Sequence, residues 1–370
     1  MKFILKTKLA VIMLALSFTT LSLTGQVKYS NEFLNIGVGA RALGMSNSVV
    51  SSTDDVTSGY WNPANLANID DKFQVGMMHA SYFAGISNYD YGSVAIPIEN
   101  GVVGISVIRF GVDNILNTIN FKDPNGNFNY DRITTFSTAD YAFLVSYARK
   151  TSIEGLNVGG NFKIIYRQIG DFASAYGFGL DASATYTKNK WKFAAMARDI
   201  TTTVNAWSYT LDDKTKEVFE ETNNEIPQNG TEITLPKILF GASKEFIIKK
   251  QFSILPEINF DMYFDGERPM LISSSTISID PHFGLEMGYN HFIFVRGGVG
   301  NIQKQPKTTG DGDEWMVQPN FGVGLRLDDL FGLGNVVLDY ALTAIDQTNS
   351  SLYSNVFSLR IDVASFGKGE

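Results

Sequence analysis

The chain has no cysteine, only three histidines and few charges, and past its first residues it has no long apolar run. Without cysteine there is no disulfide framework and no site for lipoprotein acylation. His79, His282 and His291 lie on separate predicted strands, at no metal-ligand spacing. No Gly-x-Ser-x-Gly elbow and no phosphate loop occurs. Gly37-x-Gly39 has Ala42 at the third position of a dinucleotide fingerprint, and neither a preceding strand nor a βαβ unit accompanies it. The sequence offers no catalytic residue, metal site or cofactor. Gly310-Asp311-Gly312-Asp313-Glu314 lacks the ligand spacing of a calcium loop and reads as a solvated acidic turn. A net charge of −8 gives no electrostatic basis for binding nucleic acid.

Residues 1–25 read as a secretory signal peptide. Lys2, Lys6 and Lys8 precede an apolar core from Leu9 to Leu16, then polar and small residues run to Gly25. That core is too short to span a bilayer. Over the whole chain charged residues make up 18% and aromatics 13%, with 34 glycines. This is a membrane-like composition without the roughly 20-residue apolar segments that a spanning helix needs. Only helices and closed barrels satisfy their backbone groups in lipid, so the sequence points to a transmembrane antiparallel β-barrel.

Periodicity supports that choice. From 173 to 187, Tyr176, Phe178, Leu180, Ala182, Ala184 and Tyr186 alternate with Gly177, Gly179, Asp181, Ser183 and Thr185. Similar alternation occupies 276–289 and 353–363, at the length of a tilted membrane strand. About fourteen strands fit, near 72–83, 87–98, 102–111, 139–149, 156–169, 173–187 and 191–200, then 235–246, 251–263, 276–289, 291–300, 315–327, 335–346 and 353–363. Short connections follow the even-numbered strands. The long ones, 112–138, 201–234, 264–275 and 301–314, all follow odd-numbered strands. That parity predicts an outer-membrane barrel with both termini periplasmic and long loops extracellular. The barrel occupies 72–363, with a short tail at 364–370.

Residues 26–71 break the pattern and read as an N-terminal hatch inside the barrel. Gly37, Gly39, Ala40 and Gly44 permit close backbone approach, and Asn62-Pro63 marks a turn. By alternation, Asn161, Lys163, Arg167, Asp181, Ser183, Glu257 and Asn259 face the lumen, as do Asp261, Asp280, His282, Glu286, Asp339, Arg360 and Asp362. Arg41 is the hatch cation suited to such carboxylates. In the loops, Phe121, Phe128, Trp207 and Tyr209 are candidate partner-binding residues.

The block Phe33-Leu34-Asn35-Ile36-Gly37-Val38-Gly39-Ala40-Arg41-Ala42-Leu43-Gly44-Met45, followed by Asp54-Asp55 and Tyr60-Trp61-Asn62-Pro63-Ala64, resembles the PorV/PorQ family of Bacteroidota. That family is related to FadL-type barrels, which share the Asn-Pro-Ala element. The chain departs from it at Ser46-Asn47-Ser48, where a Gly-Gly-Ala-like run is usual, and at Asn65, where glycine is common. The resemblance implies fourteen strands with a hatch built on Gly37, Gly39, Arg41, Gly44, Trp61, Asn62, Pro63 and Ala64. It also implies work in type IX protein secretion, with the translocon or the C-terminal domains of secreted cargo as partners alongside outer-membrane lipid. FadL-type relatives instead pass hydrophobic molecules, and that channel is the alternative reading.

The loop parity is directly testable. Single cysteines placed at Asn125 and Asn223 should react with an impermeant maleimide on intact cells, and one at Asn189 should not. Labelling at Asn189 alone would invert the topology.

Overall fold

The computed structural model describes residues 30–69, 73–122, 127–307, 310, 312–330, 334–344 and 353–363. The leader 1–25, the tail 364–370 and Asn125 lie outside the described residues. The wall begins with β1 (Phe73–Tyr82), β2 (Ser87–Ile98), β3 (Gly101–Asn117), β4 (Thr134–Lys150), β5 (Leu156–Ile169) and β6 (Ala173–Lys188). Next, β7 (Trp191–Arg198) resumes after a break as β8 (Thr203–Tyr209). Likewise β9 (Gly230–Thr234) leads into β10 (Lys237–Lys244) and β11 (Phe246–Ile248). The wall then runs through β12 (Phe252–Tyr263), the two-residue β13 (Ile272–Ser273), β14 (Ser278–Tyr289) and β15 (Ile293–Pro306). It ends with β16 (Asp313–Leu327), β17 (Gly334–Ala344) and β18 (Tyr353–Val363). Taking β7 with β8, and β9 with β10 and β11, and leaving aside the two-residue β13 that only extends the edge of β14, these segments make a closed antiparallel barrel of 14 strands. Closure is the pairing of β1 with β18, from Phe73↔Val363 to Ser81↔Asn355.

The wall is polar within and apolar without. Along β6, Tyr176, Phe178, Leu180 and Tyr186 are exposed, while Ala175, Gly177, Asp181 and Thr185 are buried. Outward rings mark two levels. Tyr141, Tyr166 and Tyr176 contact in sequence at centroid distances of 6.0 and 4.9 Å towards the loop end. Trp191 with Phe193 at 5.9 Å, and Phe252 with Tyr289 at 5.0 Å, stand at the turn end. Tyr176 and Tyr186 share one strand, and ten residues at about 3.3 Å, tilted, give an apolar band of about 25 Å. This is the dress of an outer-membrane barrel.

Strands extend further than alternation suggested. The connection expected at 112–138 shrinks because β3 runs to Asn117 and β4 starts at Thr134. The one expected at 301–314 is largely strand, since β15 reaches Pro306 and β16 starts at Asp313. Within 201–234 lie β8, β9 and a helix, Asp213–Glu221, capped by Asp212 through Thr215 N at 2.7 Å. These outer ends rise above the apolar band, where no lipid imposes alternation.

Residues 30–69 run down the lumen from the loop half to the turn end. Ser30 and Asn31 meet Asn205 of β8 at 3.2 and 2.9 Å, near the loop end. At the other end Asn68 meets Asn157 at the foot of β5 at 2.9 Å, and the chain then enters β1. Since β18 ends at the turn end, the two described chain ends lie in opposite halves of the barrel. Ser30 lies in the loop half because the hatch is threaded upward through the lumen.

Glycine lets hatch and wall touch backbone to backbone. A Cβ on Gly159 of β5 would lie 2.6 Å from Ala64 N, and one on Gly44 would lie 2.9 Å from the Cα of Gly322. Gly159→Val should therefore cost about 1–3 kcal/mol of overpacking. Chemical denaturation of the detergent-solubilised barrel checks this, and unchanged stability would mean that hatch and wall are not in register as described.

Candidate functional site

The hatch is built from short pieces punctuated by special backbone. Gly37 and Gly39 have φ of 98° and 89°, left-handed values that favour glycine. They turn the chain into the short helix Ala40–Gly44. Ser46 and Asn47 also adopt positive φ, 51° and 65°, an uncommon pair for side-chain-bearing residues. Asn47 ties this bend by donating from Nδ2 to Ile36 O at 3.2 Å.

Further along, Trp61 Nε1 donates to Val38 O at 2.8 Å, stapling the two halves of the motif together. Asn62 caps the turn Pro63–Asn68 and donates to Val50 O at 2.9 Å and to Thr185 Oγ1 of β6 at 2.8 Å. Pro63 has no N–H to satisfy at the first position of that turn. Ala64 N donates to Ser183 Oγ at 2.9 Å. Trp61, Asn62 and Ala64 thus hold the hatch to itself and to the wall.

Ion pairs lock it further. Arg41 grips Glu286 of β14 with Nε–Oε2 at 2.9 Å and Nη2–Oε1 at 3.2 Å. The same carboxylate receives Arg296 Nε at 2.6 Å, and Arg296 passes to Asp339 at 2.6 Å. Opposite, Arg360 of β18 holds Asp55 at 2.7 Å. Burial alone would raise the Asp55 carboxyl, but Arg360, Thr57 and Arg41 outweigh it and hold it below its usual range. Its stabilising contribution is therefore present above the ordinary carboxylate range and lost as pH falls through the lowered value. Near the loop end, Arg198 of β7 donates to Tyr60 O at 2.9 Å and Leu34 O at 3.3 Å, its guanidinium 4.4 Å from the Tyr60 ring centre.

The lumen is left with chambers on either side of the hatch. The loop-side chamber has a volume of about 430 Å³ and lies among Asn35, Trp61, Asp280, His282, Gln318 and Asn320. The turn-side chamber, about 370 Å³, lies beneath Arg41 and Glu286 and collects Lys190, Lys192, His291 and Arg326. A smaller cavity of about 40 Å³ is lined by Leu34, Leu235, Pro236 and Phe264 together with charged residues that include Lys163, Asp181, Arg198 and Asp199.

The loop aromatics divide. Phe121 stacks on Phe128 at 5.1 Å and meets Tyr130 edge-on at 5.0 Å, beyond the ends of β3 and β4. Phe128 and Tyr130 are 68% and 75% exposed. Trp207 and Tyr209, expected on an outward docking surface, lie instead on the β8 face shared with buried Thr203 and Asn205. The guanidinium of Arg167 stands 5.1 Å from the Trp207 ring. Their setting among charged residues hid the alternation that turns them inward.

Truncating Arg41 leaves Glu286 facing a site built for two cations. Arg41→Ala should lower the unfolding free energy by about 3–5 kcal/mol and raise hydrogen exchange across 40–52. A loss below about 1 kcal/mol would place Arg41 in effectively aqueous surroundings.

No protein-family model matches the chain, and no curated protein matches it in sequence. Among solved structures, the CymD monoaromatic hydrocarbon channel superposes with a TM-score of 0.53 at 11% identity, over 90% of this chain and 99% of that one. The Ralstonia pickettii toluene transporter TbuX gives 0.53 at 13%, over 88% and 98%. A Pseudomonas aeruginosa FadL homologue gives 0.52 at 12%, also over 88% and 98%. At such identities the likeness is one of fold: this chain shares the architecture of FadL-type outer-membrane barrels along almost its whole length.

Proposed function

We propose that the protein is an outer-membrane conduit for small hydrophobic compounds, closed in this state by its hatch. The observation that carries this reading is a break in the wall beside the small loop-half cavity. The ladder joining β7 to β10 ends at Arg198↔Lys237 and resumes between β8 and β9 at Thr203↔Thr234. Across the gap, 199–202 faces only Leu235 and Pro236, and Pro236 has no N–H for a ladder. Leu34 of the hatch and Phe264 are the apolar part of the cavity behind it, whose inner side carries the paired charges Lys163, Asp181, Arg198 and Asp199. Straight passage down the barrel is blocked by the Arg41–Glu286 and Arg360–Asp55 locks, whose charges repel an apolar solute. The wall break gives such a solute a sideways path into lipid. The fold shared with a monoaromatic hydrocarbon channel and a toluene transporter agrees with this reading.

A second reading, service to type IX secretion as a docking component for cargo C-terminal domains or the translocon, draws on the PorV/PorQ-like motif block. One specific observation favours it: the exposed cluster of Phe121, Phe128 and Tyr130 at the hairpin tip. Aromatic clusters of this kind anchor protein partners. In both readings the long loops face outward and the Lys190 end faces the periplasm.

Cells lacking the protein should take up toluene more slowly, and the wild-type gene should restore the rate. Leu34→Trp, which fills the cavity, should not restore it. Equal uptake with and without the protein would sink the conduit. If secreted cargo then copurifies with the wild type but not with Phe121→Ser/Phe128→Ser, the docking reading replaces it.

A further inference from the structure

The apolar band is not of even height around the barrel. Its outward face carries six successive apolar side chains on β6, from Tyr176 to Tyr186, and six on β16, from Trp315 to Leu325. On β1, β2 and β3 the run is three, Phe73 to Met77, Ile98 to Val94 and Val103 to Val107. The outward positions above are His79 on β1, Gly92 and then Asp90 on β2, and Arg109 on β3. His79 and Arg109 stand six residues above Phe73 and Val103, about 15 Å along tilted strands, inside a band of about 25 Å. The three are neighbours in register, His79↔Asp90 and Asp90↔Arg109. His79 Nδ1 lies 2.7 Å from Asp90 Oδ1, and Arg109 reaches Asp90 at 3.7 Å and Asp113 at 3.4 Å. The His79, Asp90 and Asp113 side chains are still 58%, 43% and 42% exposed, so this cluster is open to whatever covers the wall.

Lipid does not answer such a cluster. Acyl chains offer no hydrogen bonds, and a charge on the outward face destabilises a barrel more the deeper it lies. The relief beside it is that of a contact surface. An apolar hollow of about 500 Å³ opens between Leu325, Leu338, Leu359, Met77 and Phe357, with His79 at its edge. Beyond Met77, Gly92 makes a notch between Met77 and Val107, where a Cβ would meet nothing within 4 Å. The cluster itself holds donors and carboxylates together, Arg109 and His79 with Asp90 and Asp113, and a surface of mixed sign can complement itself. In a twofold contact about an axis along the membrane normal beside β2, β1 of one copy faces β3 of the other. Arg109 of each copy then comes against the partner's His79–Asp90 pair. The two Gly92 notches meet at the axis, and small residues there let the walls approach closely.

We propose that the outward face of β1–β3 is the contact between two copies of this chain within the membrane, centred on Asp90 and Arg109. The inference is independent of the conduit reading. The wall break lies beyond β7, on another side of the ring, and a dimer joined at β2 leaves it open to lipid.

The absence of native cysteine makes the face directly testable. In native outer membranes a short bis-maleimide should crosslink Gly92→Cys into a homodimer, and should not crosslink Phe178→Cys, equally outward on β6. Two differently tagged wild-type copies, coexpressed and extracted in mild detergent, should copurify. Asp90→Arg tips the patch positive and Arg109→Asp tips it negative, so each variant paired with itself should copurify roughly tenfold less. Asp90→Arg coexpressed with Arg109→Asp should recover the yield, which a merely local disturbance of the wall would not do. Heat-modifiable gel mobility confirms that each variant is a folded barrel. Leu34→Trp should leave copurification unchanged, so loss of the conduit and loss of the dimer are read separately. The proposal is overturned if Gly92→Cys gives no homodimer, if Phe178→Cys crosslinks as well, or if the mixed pair fails to recover. A Gly92→Cys product with a different protein would assign the face to that partner and overturn the second copy.

Discussion

A peptide group in hydrocarbon must find its hydrogen-bond partner within the protein, and everything else in this structure answers to that requirement. It forces the β1–β18 seam, which removes the last free edge from the wall. A closed ring with an apolar exterior must then place its polar side chains inside. There they meet one another rather than bulk water, and a lumen containing Lys163, Asp181, Glu257, Glu286 and Arg296 needs partners. The hatch supplies many of them. Lys163 illustrates the remainder: it lies between Asp181 at 2.8 Å and Asp199 at 2.6 Å, a wall-only triad.

The hatch is therefore less a stopper than a second half of a polar core whose first half is the wall. Its carbonyls receive donors from strands on several sides, including Arg198, Tyr89 and Asn161. Its own cation answers Glu286, and its own carboxylate answers Arg360. Close contact of this kind demands small residues at the crossing points. Gly44 meets Gly322, and Met45 crosses Gly284 and Gly298, where a Cβ on either wall glycine would strike the Met45 backbone. The high glycine content thus has two sources, the hatch's own bends and the wall positions it crosses.

What was legible in the sequence was whatever lipid dictates. Alternation across the apolar band gave the strand number, the inward set and the parity of connections. Beyond the band it fades: Asp113 and Asn114 in β3, and Thr134 and Thr135 in β4, are strand residues with water on both sides. For the same reason the inward direction of Trp207 was invisible, and so was the continuation of the wall through β8 and β9. Arg41 could be matched to lumen carboxylates as a class, but choosing Glu286 among them required the hatch's path. The loop-side chamber was the least legible feature. Its lining comes from the hatch and from strands that include β7, β12, β14 and β16, and no local pattern connects Asn35 with Gln318.

The threading of residues 30–69 has a mechanical consequence. Among the described residues, the segment is joined covalently to the wall at the turn end, where it leads to β1, and Ser30 lies high in the lumen. A pull from the turn side would draw on the chain near Ile69 first and peel the contacts in order. The Asn68–Asn157 and Asn62–Thr185 bonds would go before Arg41–Glu286, and the Ser30 end would follow last. No wall hydrogen bond has to open for this to happen. A pull on Ser30 from the loop side would open the same contacts in the opposite order, beginning with Asn205, and the join to β1 would still hold the segment in the barrel.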